Sequence, residues 1–160
     1  MSVTLRPARP DDEPFLYELY CSTRNEDLAA GDSNSPQQQV LLRMQFVGQQ
    51  HTYRAQYPRA DHDIILLDGL AIGRVMVERG DHEIRGVDIA LLPAYRSSGV
   101  GGVIIQDLLD EARRAGKPFR IQVVRTNRAR RLYERLGFRE TGDTGTHYVM
   151  EWTAGESDSP

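Results

Sequence analysis

In the stretch RSSGVGG, three glycines and an arginine fall where an anion could be held. Arg96, Gly99, Gly101 and Gly102 stand between an apolar run ending at Pro93 and an amphipathic run beginning near Val100. A helix starting there leaves its first backbone N–H groups without intrahelical partners, at the positive end of its dipole. Glycines let an anion approach those groups closely. The N–H groups of Ser97, Ser98, Gly99, Val100, Gly101 and Gly102 would form the cradle. Arg96 would add a full charge, and the hydroxyls of Ser97 and Ser98 could donate to the same anion. A turn followed by an ordinary N-cap accounts for these residues without a ligand, and the loop alone leaves both readings open.

A strand before this loop and a helix after it must position it. EIRGVDIALLP reads as the strand, and its apolar half, Val87 to Leu92, suggests burial on both faces. The helix from about Val100 carries Ile104, Leu108, Ala112 and Ala115 at helical spacing. It ends in AGKP, where Gly116 suits a left-handed cap and Pro118 blocks continuation. Upstream, VTLRPA alternates as a first strand would, and a helix follows with Phe15, Leu16, Leu19 and Tyr20 on one stripe. A second helix, QQQVLLRMQFVGQQHTYRAQY, carries Val40, Leu41, Met44 and Val47 along its apolar face. Asp68-Gly69 marks a two-residue hairpin turn. FRIQVV is a strand, RARRLYERLG a short helix closed by Gly137, and FRETG with THYVMEW a final hairpin. The order β-α-α-β-β-β-α-β-α-β-β predicts an α/β (α+β) domain with a mixed sheet and helices on both faces.

The 160 residues, 39% apolar and 27% charged, suit one globular domain over residues 1–152, with a frayed acidic tail at 153–160. A net charge of −3 argues against a general nucleic-acid binder. Cys21, the single cysteine, lies in an apolar helical pattern and reads as a core residue in a reducing compartment. No apolar run reaches membrane-spanning length and the N-terminus carries no signal-peptide core, so the expectation is a cytoplasmic protein with no membrane partner.

From Val3 to Trp152, and most densely from Ile84 to Phe138, the chain resembles the GNAT superfamily of acyl-CoA-dependent N-acyltransferases. Arg96, Gly99 and Gly101 match that family's [RQ]-x-x-G-x-[GA] pyrophosphate loop, preceded by its apolar strand and proline. Asn127, Ala129, Leu132, Tyr133, Leu136, Gly137 and Phe138 match its second element. The resemblance implies a largely antiparallel, twisted sheet of about seven strands. It implies acetyl-CoA as acyl donor, no metal, and transfer of the acetyl group to a primary amine by direct attack in a ternary complex. Backbone groups of Ile89, Ala90, Leu91 and Leu92 would bind the pantetheine arm like an added strand, one N–H polarising the thioester carbonyl. Asn127 would contact the arm, and Tyr133 would protonate the leaving thiolate. Many members place the asparagine three residues before the helix alanine; here Asn127 precedes Ala129 by two, so Thr126 competes for that position. Asn127 also suits a plain N-cap, Tyr133 an aromatic wedge, and Arg96 a solvated loop charge.

An ammonium of pKa ~10.4 is neutral in roughly one molecule per 2,500 at pH 7, so its proton must be removed with help. Glu78 on the third strand, Asp88 on the fourth and Glu83 near the turn between them are the candidates. Asp88 is the most unusual, a charge inside an apolar run, and it reads equally as half of a structural salt bridge. His51 and Tyr53 could line an acceptor pocket for a small-molecule amine or a protein N-terminus. Cys21 sits on the wrong helix for a covalent nucleophile. An exposed final strand makes a homodimer an expectation. Two other functions compete: a non-catalytic acyl-CoA sensor, and an RNA or acidic-partner module using Arg120, Arg125, Arg128, Arg130, Arg131, Arg135 and Arg139. Those arginines otherwise form a solvated face with Glu134 and Glu140 as partners.

Overall fold

A computed structural model describes residues 2–27, 35–125 and 129–154. Among them the elements run β1 (Val3–Pro7), α1 (Glu13–Asp27), α2 (Pro36–Gln56), β2 (Asp61–Leu67), β3 (Leu70–Arg79), β4 (Ile84–Leu91), α3 (Val100–Ala115), β5 (Phe119–Val124), α4 (Ala129–Arg135), β6 (Arg139–Asp143) and β7 (His147–Trp152). The seven-stranded sheet has the order β1-β2-β3-β4-β5-β7-β6. β4 and β5 pair in parallel, whereas β1 with β2, β5 with β7 and β6 with β7 pair antiparallel. The mixed sheet is the one expected from the element order, and its seven strands in a mostly antiparallel α+β arrangement are what the family resemblance implied. Contacts divide the chain into two units, Met1–Met76 with Asp88–Gly101, and Val77–Val87 with Gly102–Pro160.

In the first unit, Asp68 and Gly69 take positive φ (50° and 86°), as a two-residue hairpin turn between β2 and β3 requires. Leu16, Tyr20, Leu42, Phe46 and Ile64 form the core, with Phe15 and Cys21 packed against it. The rings of Tyr17 and Tyr20 lie 5.4 and 5.7 Å from that of Phe46. Ser35 caps α2, its Oγ accepting from the Gln38 N–H at 3.1 Å with Pro36 next in the chain. The buried face of α2 differs from the sequence expectation. Val40, Leu41, Met44 and Val47 are 42% to 66% exposed, while Leu42 and Phe46 are buried. Both stripes have helical spacing; the one carrying Phe46 goes inside because its ring reaches both tyrosines of α1. Gln49 and Tyr53 continue that stripe and are half-buried.

In the second unit, Ile104, Ile105, Leu108, Leu109 and Ala112 of α3 are buried, but Ala115, expected with them, is exposed. The Lys117 N–H returns to the Ala112 carbonyl at 3.0 Å and closes the helix. β5 buries Phe119, Ile121 and Val123 in alternation, and Phe119 meets Phe138 edge-on at 6.1 Å. β4 departs from the expectation of burial on both faces: Ile84 is buried, and each residue from Arg85 to Leu91 is only half-buried. Most of the acidic tail, 155–160, lies outside the described residues.

Candidate functional site

β4 hands the chain to Leu92, whose N–H donates to the Ile72 carbonyl on β3 at 2.8 Å. Pro93–Tyr95 make one 3-10 turn. Ser97 then takes φ +62° and Gly99 φ +92°, and α3 begins at Val100. A left-handed backbone is costly for a residue with a side chain, and glycine escapes that cost. A Cβ on Gly99 or Gly102 would meet nothing within 4 Å, and one on Gly101 would meet Leu91 Cδ1 at 3.8 Å. The glycine side of the loop is open. Left-handed residues ahead of a helix N-terminus turn successive N–H groups into an anion-sized concavity.

Other groups of this segment are spent on the loop itself. The Ser98 hydroxyl donates to the Tyr95 carbonyl at 2.5 Å, so its proton is not offered to an anion as expected. Arg96 Nε donates to the Leu91 carbonyl at 3.0 Å and fastens the loop to the strand end. With the Leu92 N–H also committed, the set of unpaired backbone groups expected over Ile89–Leu92 is smaller than the sequence suggested. Gly73 explains the path of β4 here. A Cβ on Gly73 would overlap the Ala90 carbonyl oxygen and lie 3.2 Å from Leu91 Cα, so the β4 backbone comes close against Gly73 at this point.

Asp88 is held by a residue the sequence reading passed over. Its Oδ2 accepts from Arg74 Nε at 2.8 Å and from Nη2 at 2.6 Å, and Nη2 also donates to Gln49 Oε1 on α2 at 3.1 Å. Arg74 is 5% exposed, the one buried charged residue among those described, and its guanidinium lies 5.5 Å from the Tyr53 ring centroid. Desolvating a guanidinium costs several kcal/mol. The carboxylate and the amide oxygen offset that cost. The signal for Arg74 was the same one that marked Asp88: a lone charge in an apolar strand, LAIGRVMV, one strand away from its opposite.

Beside this pair is a cavity of about 270 Å³ lined by Gln50, Tyr53, Arg54, Tyr57, Ala60, His62 and Met76, with Pro58. Tyr53 is thus a wall residue, whereas His51 is exposed on α2 and is not among the lining residues. His62 Nε2 is buried with no hydrogen-bond partner among the described residues. Burial, then the Arg74 charge, pushes the His62 pKa down to about 4, so the ring is neutral at pH 7.

The remaining candidates lie in the second unit. Tyr133 on α4 is half-buried, its ring 5.3 Å from that of Phe138. Glu78 is half-buried near the end of β3. Glu83 pairs with Arg85 and with Arg120, each at 3.3 Å. In the arginine cluster, Arg120 also pairs with Glu151 (2.6 Å), Arg125 with Asp143 (3.6 Å), and Arg130 with Glu134 (3.2 Å) and Glu140 (2.7 Å). Arg131, Arg135 and Arg139 are exposed. Asn127, Thr126 and Arg128 lie outside the described residues. No group of His, Cys, Asp or Glu suited to a metal ion occurs among the described residues, nor a helix long and apolar enough to cross a membrane.

Residues 59–140, just over half of the chain, match a family model described as an acetyltransferase (GNAT) domain. No curated protein matches the sequence. The PaiA N-acetyltransferase from Thermoplasma acidophilum, solved in complex with coenzyme A, is 18% identical and covers 96% of this chain and 99% of its own, with a TM-score of 0.71. An acetyltransferase from Thermus thermophilus is 16% identical, covers 94% and 96%, and gives a TM-score of 0.69. The ribosomal-protein-S18-alanine N-acetyltransferase from Escherichia coli is 17% identical, covers 97% and 96%, and gives 0.62. At these identities the likeness is one of fold.

Proposed function

The chain belongs to the GNAT acetyltransferases, and from that premise we propose that it moves an acetyl group from acetyl-CoA to a primary amine by direct attack in a ternary complex. The observation that carries this reading is the Arg96–Gly102 loop. It is left-handed at Ser97 and Gly99, open over its glycines, and leads into the N-terminus of a 16-residue helix. A pyrophosphate fits that chemistry.

The N–H groups of Ser97 to Gly102 would hold the pyrophosphate. At the end of β4 the Leu92 N–H bonds back to β3 and the Ala90 carbonyl lies against Gly73, so alternation turns Leu91 to the opposite edge. The Leu91 N–H, and the Ile89 N–H that the family resemblance adds, would bind the pantetheine arm, one of them polarising the thioester carbonyl. Asp88 sits one residue earlier with a side chain 24% exposed and both Arg74 bonds on Oδ2. Its Oδ1 would take the ammonium proton, directly or through water; Glu78 is the alternative. Tyr133 would return a proton to the thiolate, and Asn127 would steady the arm; the family motif supports both roles. Holding amine and thioester together supplies much of the rate.

Calorimetric titration with acetyl-CoA, followed by a thiol-release assay over a panel of amines, tests the reading. Saturable binding that Gly99→Val weakens by about tenfold or more is expected, because valine resists positive φ. Absence of acetyl-CoA binding removes the whole proposal. Binding without thiol release from any amine removes the transfer and leaves a sensor.

A further inference from the structure

We infer that the cavity at the end of α2 is the acceptor pocket, and that it takes a monoamine with an aromatic or branched apolar body and a neutral or anionic far end, not a polyamine. The word acceptor rests on the acetyl-transfer reading; the ligand chemistry does not.

Four observations meet here, all within the first unit. The volume of about 270 Å³ sits just below the range for drug-sized ligands, roughly 300–1,000 Å³, and suits one ring or one branched side chain. Two tyrosine rings, Met76, Ala60 and Pro58 make the apolar half of the walls, which favours an apolar or aromatic body, and Gln50, Arg54 and His62 make the polar half. The lining includes no carboxylate, and its one full charge is Arg54. Asp61 and Asp63 flank His62 on β2, but strand alternation turns them to the other face. Tyr53 joins the cavity to Asp88, since its ring lies beside the guanidinium that holds the carboxylate.

The charge balance sets the selectivity. One ammonium can be directed at Asp88. A second in the cavity would face Arg54 and the Arg74 charge behind Tyr53, with no carboxylate among the lining residues. A carboxylate, by contrast, finds Arg54 on the exposed rim. His62 Nε2, neutral and lacking a partner, offers a polar ligand group a hydrogen bond that the protein leaves unmade.

The test uses the full chain without CoA and three probes, 4-(2-aminoethyl)benzoate, phenethylamine and spermidine, followed by NMR chemical-shift titration. The two aromatic amines should saturate with dissociation constants on the order of 1 mM, and spermidine should not bind at about ten times that concentration. Ala60→Trp, which fills the cavity, should weaken both aromatic probes by about tenfold or more. Arg54→Ala changes an exposed side chain, so folding is not at stake. It should weaken 4-(2-aminoethyl)benzoate roughly threefold and leave phenethylamine unchanged. Spermidine binding as tightly as the aromatic probes, full affinity in folded Ala60→Trp, equal response of both aromatic probes to Arg54→Ala, or no binding at all would each overturn the inference. A parallel acetyl-CoA titration separates the two claims. Aromatic amines binding to a chain that ignores acetyl-CoA would keep the pocket and drop the transferase, and the reverse result would drop the pocket alone.

Discussion

Gly73→Ala puts the path of β4 to a quantitative test. The added methyl would overlap the Ala90 carbonyl oxygen, approach Leu91 Cδ2 to 2.9 Å and lie 3.2 Å from Leu91 Cα. A side-chain tip can swing away, but a strand carbonyl cannot move without its backbone. That backbone is anchored two residues on by the 2.8 Å bond from the Leu92 N–H to Ile72. Overpacking of this kind costs about 1–3 kcal/mol. Loss of the anchoring bond would add about 1 kcal/mol. With about 2–4 °C per kcal/mol for a chain of this size, the melting temperature should fall by roughly 4–15 °C. Circular dichroism melts would read the shift. Gly48→Ala is the control, because its Cβ meets nothing within 4 Å and a mid-helix alanine is neutral to stabilising by up to about 1 kcal/mol. Adding Leu91→Ala to Gly73→Ala removes the flexible contact and leaves the carbonyl, so it should restore little. A Gly73→Ala protein that melts with wild type, or one rescued by Leu91→Ala, would refute the close approach of the β4 backbone to Gly73.

Three other expectations follow from the same geometry. His62 takes its proton near pH 4 when folded and near 6.5 when unfolded, so the unfolded chain binds more protons between those values. Stability should therefore decline as pH drops from 6.5 towards 4, by up to about 3 kcal/mol, and His62→Gln should flatten that slope in urea melts at stepped pH. Asp88→Ala leaves the Arg74 guanidinium buried and unpaired and should cost about 3 kcal/mol, whereas Arg74→Met with Asp88→Leu should recover most of it in denaturant titrations. Tyr133→Phe should lower kcat roughly a hundredfold with little change in acetyl-CoA affinity, and an unchanged kcat across pH would remove Tyr133 from the chemistry.

The chain's own order of residues determined the element sequence, because each signal is local. Alternation marked the strands, Asp68-Gly69 supplied two residues that tolerate positive φ, and Gly116 marked the left-handed end of α3. The two motif blocks named the family for the same reason: each is a short run whose spacing is fixed by one turn and one helix. What lay beyond reach were choices between equivalent local patterns. Two stripes of α2 have helical spacing, and only the packing of Phe46 against Tyr17 and Tyr20 selected the buried one. Arg74, Asp88 and Gln49 come from three elements, so their bonds exist only once β3, β4 and α2 are assembled. The His62 ring, ordinary in sequence, becomes a half-buried neutral group with a buried Nε2 only inside the wall it completes. Local propensity acts over a few residues, whereas burial and charge pairing depend on distances between residues far apart in the chain, and those the fold alone decides.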